Sequence, residues 1–284
     1  MSEVMATRLS HPSFDRQQYA GSPLGWLERQ YLEKEYGSNP VDFYAEIFER
    51  VRLSGQELVL DVGCGDGRGI IEWRQPPYNY SGQLVGIDVQ GSNFYTWQQN
   101  KTQGVEPIHF AAGGADALPL RDGIAHLTMA VLMLYHAASP SGGLDELYRV
   151  TRPGGTLALV TSGRNKKLYH TQVYQDMAVR LGTTPPPPFT DRFNDEIAAR
   201  ELPRLFPGGY EHIIFEDLLQ IPASGWNDLE DSLASLRSGF GRRITTVEWE
   251  SVIKSVKENF LRTVAMKGFL TERIEHHLFL CTKD

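Results

Sequence analysis

Two periodicities divide the chain. Up to about residue 55 apolar side chains recur three to four positions apart, with Trp26, Leu27, Tyr31 and Leu32 followed by Phe43, Tyr44, Ile47 and Phe48, the spacing of amphipathic helices that pack on a core. From Glu57 the pattern changes to short apolar runs bounded by Gly, Asp and Pro. It predicts strands at Leu58–Val62, Gln83–Ile87, Pro107–Phe110, His126–Leu132 and Thr156–Thr161. Such continuous runs suit strands buried on both faces, and their alternation with helix-length segments predicts an α/β fold with a mostly parallel sheet.

Beyond Thr161 the alternation stops. Helices are expected over 165–181 and 193–205, separated by the run Pro185 to Pro188, which cannot be helix interior. Glu211–Leu219 and Thr271–Cys281 have strand character. The helical patterns between them, 226–237 and 246–266, predict an insert over one edge of the sheet.

Composition changes this picture only by exclusion. A net charge of −7 argues against a surface that tracks phosphate backbones or anionic lipid. The first residues lack an apolar signal core, and the longest apolar stretch, near Leu127–Tyr135, is far below the roughly 20 residues of a spanning helix, so a cytoplasmic protein without an anchor is expected. Two cysteines, Cys64 and Cys281, with no CxxC spacing, give neither a disulfide framework nor a zinc knuckle.

The densest chemical signal is Asp61-Val62-Gly63-Cys64-Gly65-Asp66-Gly67 at the end of the first predicted strand. Glycines let backbone approach a ligand closely, and the helix that follows presents its N-terminus there. The G-x-G-x-x-G spacing of a dinucleotide site fails: counted from Gly63 the third glycine would be Arg68, and counted from Gly65 it would be Ile70. The spacing D-x-G-x-G-x-G holds, and its acid suits a ligand carrying an ammonium group. Asp88 ends the next strand, about 20 residues past the loop, where a carboxylate accepts hydrogen bonds from ribose hydroxyls. After the third strand, Asp116 offers an acceptor for an adenine amine. A strand-end Asp is often only a turn residue, but these recur at three consecutive strand ends.

Over about 55–163 these motifs resemble those of the class I S-adenosylmethionine-dependent methyltransferases. Asp61–Gly67 is similar to that family's first motif, Asp88 to its second acidic position, and 115–120 (Ala-Asp-Ala-Leu-Pro-Leu) to its adenine-contacting stretch. Residues 130–136 resemble the end of the fourth strand, and 146–157 the helix and Pro-Gly-Gly turn before the fifth. His126 departs from the acid common at the start of the fourth strand. The late strand–insert–strand order resembles the small-molecule branch that includes quinone-biosynthesis enzymes. Upstream, Arg29 lies in a stretch resembling a lid helix that faces the cofactor.

The resemblance implies a single domain with a Rossmann-like, mostly parallel sheet and an antiparallel last strand. Lid helices would occupy 1–55, the cofactor-binding core 56–223 with 269–284, and a helical cap 224–268. It implies S-adenosylmethionine as cofactor, held by Arg29, Asp61, Gly63, Cys64, Gly65, Asp88, Val89, Asp116, Ala117 and Val131, and a small organic acceptor, with neither nucleic acid nor membrane as partner. Methyl transfer needs positioning above all. Where a base helps, His136 is the candidate, just past the fourth strand, with Tyr135 as an orienting hydroxyl. Trp26, Phe193, Trp226, Phe240 and Trp249 are candidates for lining an acceptor pocket, though most such aromatics serve as core.

Three other features read as structural. Gln75-Pro76-Pro77-Tyr78 echoes a nucleobase-methylating signature but precedes the strand that should carry it. Arg164-Asn165-Lys166-Lys167 reads as a solvated helix start. His276 and His277 alternate across a strand, so the pair cannot share a metal, and no metal is assigned. The competing functions are an RNA or protein methyltransferase, disfavoured by charge, a nicotinamide oxidoreductase, disfavoured by the glycine spacing, and a cofactor-binding protein without catalysis.

Overall fold

The computed structural model describes residues 32–89, 108–164, 169–180, 182, 191–239 and 244–284. Its centre is a seven-stranded sheet of β1 (Leu58–Val62), β2 (Gln83–Asp88), β3 (His109–Ala112), β4 (Ala125–Val131), β5 (Thr151–Ser162), β6 (Tyr210–Ile221) and β7 (Leu270–Thr282). The order is β3-β2-β1-β4-β5-β7-β6, and β7 runs antiparallel to both neighbours while β1 to β5 are mutually parallel. The reversed strand expected last in the chain is thus found, inserted between β5 and β6.

Alternation along the strands sorts the core into two faces. Leu60, Val62, Ala130, Leu157, Leu159 and Phe279 pack under α3 (Pro140–Val150) and α5 (Asp195–Leu205), through Leu144, Leu147, Ala198 and Leu202. Val59, Met129, Ala158, Val160 and Leu278 pack under α1 (Phe43–Val51) and α2 (Arg68–Glu72), through Ile47, Ile70 and Ile71. Side chains close the helix starts where the pattern allows it. Asp42 accepts from the Tyr44 and Ala45 amides, Ser139 caps α3 ahead of Pro140, and Asn194 accepts from the Ile197 amide.

Two boundaries differ from expectation. β3 covers His109–Ala112 instead of 107–110. The Pro153-Gly154-Gly155 turn expected before β5 is instead part of it. Gly154, at φ +70°, donates to the Lys283 carbonyl at 2.7 Å, and the Lys283 amide donates to Gly155 at 2.9 Å. The end of β7 therefore holds this stretch extended. Gln75–Tyr78 forms a loop whose Tyr78 ring packs on Phe48 at 4.8 Å. His126 takes a local role, its Nδ1 accepting from the Leu58 amide at 3.2 Å, and burial lowers its pKa.

β5 ends its pairing at Ser162–His276, but β6 and β7 continue together to Ile221–Leu270. The ribbon therefore overhangs the carboxyl edge by about 20 Å, at roughly 3.3 Å per residue. On its tip sit α6 (Trp226–Gly239) and α7 (Thr246–Lys267), the latter started by a Thr245–Glu248 capping box. They form a separate core with Leu32, Val173 of α4 (Tyr169–Arg180), Leu219, Ile221, Leu270 and Ile274.

That core absorbs two of the aromatics proposed as pocket lining. Trp226 is 4% exposed, and its indole donates to Glu230 at 2.6 Å while its ring meets Phe260 at 5.4 Å. Trp249 lies in the same cluster, and Phe193 is fully buried beneath α3 and α5. These three rings anchor elements to one another because apolar surface on an inserted helix must be covered before any is left for a ligand. Trp26 and Phe240 lie outside the described residues. Trp226→Ala should therefore lower stability by about 3–5 kcal/mol and leave cofactor affinity unchanged, as read by denaturant unfolding beside calorimetry.

Candidate active site

The parallel strands deliver the predicted residues to one edge. Asp61 and Gly63–Gly67 close β1, Asp88 and Val89 close β2, Asp116 and Ala117 follow β3, and Val131 ends β4 with Tyr135 and His136 just past it. The open side of such an edge is where α/β sheets bind ligands. Arg29 lies outside the described residues.

The glycine loop is wired into β2. Gly63 and Cys64 both donate to the Ile87 carbonyl, at 2.7 and 3.2 Å, and Gly67 donates to the Cys64 carbonyl at 2.9 Å. Gly65 donates to Asp88 Oδ2 at 2.9 Å, which joins the first two acidic motifs directly. The amides of Gly63, Cys64, Gly65 and Gly67 are thus spent inside the fold. A phosphate cradle needs such donors pointing outward, so the hydrogen bonding disfavours a pyrophosphate on physical grounds.

The glycines are not equivalent. Gly63, Gly65 and Gly67 all have positive φ, at 73°, 58° and 77°. A Cβ on Gly63 would sit 2.6 Å from the Met133 side chain, and one on Gly67 2.6 Å from the Phe110 ring. At Gly65 a Cβ meets nothing within 4 Å. Two of the glycines admit protein, and Gly65 alone borders open space. The Cys64 side chain is buried, a Cβ on Gly86 would come within 2.7 Å of its Sγ, and burial raises the thiol pKa, so only its backbone can face a ligand.

Asp61 is the electrostatic oddity of the molecule. Its carboxylate is fully buried, Oδ2 accepts from the Tyr44 hydroxyl at 2.9 Å, and Oδ1 has no partner among the described residues. Burial, aided by the charge of Asp88, lifts its pKa to about 7 against the pull of the Tyr44 bond. A buried acceptor left open beneath a ligand loop fits a cofactor that brings a positive charge.

Tyr44 was visible in the sequence only as one aromatic of a helical stripe. Its signal was the hydroxyl, which requires a partner when buried. Glu146 and Arg149 were also missed as positioning groups. Glu146 accepts from the Leu118 amide at 2.8 Å, and Arg149 donates to the Leu118 and Leu120 carbonyls at 3.2 and 2.8 Å, so α3 holds the stretch beside Asp116. Past β4, Tyr135 and His136 lie in a single 3-10 turn, Leu134–His136, with rings 4.4 Å apart.

Comparison with known proteins agrees with this geometry. Residues 60–159 match the family model described as a methyltransferase domain. This segment, about a third of the chain, is thus similar to the methyltransferase domains of that family. Over 130 residues the chain is 30% identical to malonyl-[acyl-carrier protein] O-methyltransferase of Pectobacterium atrosepticum, covering 42% of this chain and 48% of that protein. It is 34% identical to tRNA U34 carboxymethyltransferase of Pseudoalteromonas atlantica (40% and 36%) and 31% identical to ubiquinone biosynthesis O-methyltransferase of Pseudomonas entomophila (43% and 51%). The match thus spans about a third to a half of the length of these relatives. A putative methyltransferase of Bacillus halodurans shares the fold, with a TM-score of 0.55 at 16% identity over 84% of this chain and 96% of that one. The cofactor of the methyltransferase domain is S-adenosylmethionine, and the open Asp61 oxygen and the space over Gly65 fit it. Among the described residues no helix is long and apolar enough to cross a membrane.

Two outcomes follow from this site. Gly65→Val should abolish S-adenosylhomocysteine binding and leave the protein folded, whereas Gly67→Val, which drives methyls into Phe110, should lower the melting temperature first. Because the folded pKa of Asp61 lies above its unfolded value, the folded state holds a proton that the unfolded chain releases. Ligand-free stability should therefore fall as pH rises from about 4 to about 7, by on the order of a few kcal/mol. Asp61→Asn should flatten that slope in urea titrations run at each pH.

Proposed function

We propose that this protein transfers a methyl group from S-adenosylmethionine to a small organic acceptor. The single observation that carries the reading is the buried Asp61 carboxylate with its unmet oxygen beneath a loop that opens to ligand space only at Gly65. Asp61, Gly63, Gly65 and the Cys64 backbone would face the methionine portion, with Arg29 from the lid. Asp88 and Val89 would meet the ribose, and Asp116, Ala117 and Val131 the adenine. When bound, the cofactor supplies an activated methyl on a sulfonium.

What remains for the chain is to hold an acceptor in line and keep water out. The lid expected at 1–55 and the cap expected at 224–268 would close over that edge, and the extension of the β6–β7 ribbon beyond β5 supports this for the cap. His136 would take a proton from the acceptor, and Tyr135 would orient it. A small acceptor, in the manner of the quinone-biosynthesis branch, is favoured by the net charge of −7. A cytoplasmic location accords with the same reading.

The test is calorimetry with S-adenosylhomocysteine and NAD, followed by transfer of labelled methyl to panels of small acceptors, RNA and protein. Binding of S-adenosylhomocysteine but not NAD, with label on a small acceptor, is the expected result. Label appearing only on RNA or protein would replace the acceptor class, and no turnover on any panel would leave a cofactor-binding protein. In the active assay, His136→Asn should lower turnover by about 10²-fold or more with cofactor affinity intact, and should remove a pH limb near 6–7. Retention of both would return His136 to a structural role.

A further inference from the structure

On the face of the sheet under α5, away from the glycine loop, β7 places Glu275 and His277 two residues apart and so on the same side. Asp195, in the first turn of α5, comes down over them. His277 Nε2 lies 2.9 Å from Glu275 Oε1 and 3.7 Å from Asp195 Oδ2, and the three ligand atoms lie within 4.8 Å of one another. We propose that Asp195, Glu275 and His277 form a binding site for one divalent transition-metal ion of the zinc or manganese kind.

Five observations make this a built site instead of a chance cluster. The imidazole is buried, and its other nitrogen, Nδ1, lies 2.8 Å from His212 Nε2. A histidine that ligates through Nε2 must carry its proton on Nδ1 and give it to an acceptor, and His212 stands at that position. His212 is itself fixed by stacking on Phe279, with centroids 4.3 Å apart.

Space for the Glu275 carboxylate comes from Gly163, where a Cβ would approach Oε1 to 2.5 Å. Asp195 is oriented by the Arg164 amide, which donates to Oδ1 at 2.8 Å and leaves Oδ2 turned to His277. Among the described residues no Lys or Arg pairs with Asp195 or Glu275, and the Arg164 guanidinium goes to Glu196 instead. Finally Thr161, the register partner of His277 on the same face of the sheet, is buried, and its hydroxyl has no partner among the described residues. An unmet hydroxyl beside two carboxylates and an imidazole marks a place that a hydrated cation would complete.

One imidazole with two carboxylates suits zinc or manganese better than magnesium or calcium, which prefer all-oxygen sets. The carboxylate side chains are 21% and 25% exposed, so they mark the open side, where a fourth position would take water or a substrate oxygen. His276 takes no part. It lies on the opposite face against Phe43, at 5.1 Å. The expectation that the two histidines cannot share a metal therefore stands, and the ligands offered to His277 are Glu275 and Asp195.

The test is titration of the chelator-treated full chain with Zn²⁺, Mn²⁺ and Mg²⁺ by calorimetry, with thermal unfolding of every variant as a check on folding. One equivalent of Zn²⁺ should bind, Mn²⁺ should bind more weakly, and Mg²⁺ should not compete at equal concentration. Glu275→Gln and Asp195→Asn, which keep shape and remove charge, should each weaken Zn²⁺ binding by at least about 10-fold. His212→Phe, which keeps the stack and removes the acceptor, should weaken it by roughly 10- to 100-fold. No stoichiometric binding in the wild-type chain, equal binding in folded Glu275→Gln and Asp195→Asn, or Mg²⁺ binding as tight as Zn²⁺ would each overturn the proposal and leave an ion pair between His277 and the carboxylates.

Discussion

A carboxylate buried without solvent and with one hydrogen bond is the constraint around which the ligand edge is arranged. Asp61 sits where β1 ends, held by Tyr44 from α1. Leaving its second oxygen unmet costs folding free energy, and the surrounding structure is rigid enough to tolerate it. β1 is paired on both sides, and the loop beyond it is tied to Ile87 and Asp88 by backbone amides. Because those amides are consumed, the loop cannot become a phosphate cradle, and its chemistry turns from donors toward negative charge. Asp88 contributes to both effects, since it holds Gly65 in place and its charge raises the pKa of Asp61. A positively charged ligand relieves the strain that the fold builds in.

The strands were legible because strands buried on both faces are written as unbroken apolar runs, and β1, β2 and β4 lie within a residue or so of their expected limits. The order of acids at successive strand ends was legible for the same reason: strand ends follow from the runs, and parallel strands bring their ends to one edge. What was not legible depends on contacts distant in the chain. The sequence treats Gly63, Gly65 and Gly67 alike, whereas Met133 and Phe110, far along the chain, decide which of them borders open space. Trp226 and Trp249 looked available because their periodicity says that they face something and does not say what. Glu275 and His277 did carry a signal, an acid and a histidine two residues apart in a strand. It was overshadowed by the adjacent His276, and Asp195 could join them only through the docking of α5.

The candidate metal cluster lies beneath α5 on β7, and β4 and β5 separate β7 from the glycine loop at the end of β1. The strands between them are packed with Leu157, Ala158, Leu159 and Val160 at zero exposure. Close packing of that kind resists deformation, so each site keeps its own geometry whether or not the other is filled.

The position of β7 also has a kinetic meaning. β6 touches the rest of the sheet only through β7, and β7 finds β5 by pairings such as Thr156 with Thr282, which close a very long stretch of chain. Contacts so far apart in sequence form late, because the entropy of loop closure is lost before they repay it. The parallel strands β1 to β5, with shorter connections, can assemble ahead of them, while β6, α6, α7 and β7 can gather as an antiparallel unit and dock as one. The molecule thereby divides, in time if not in space, into an early half that carries the glycine loop and a late half that carries α6 and α7. Folding would complete the glycine loop before the ribbon and its helices are added.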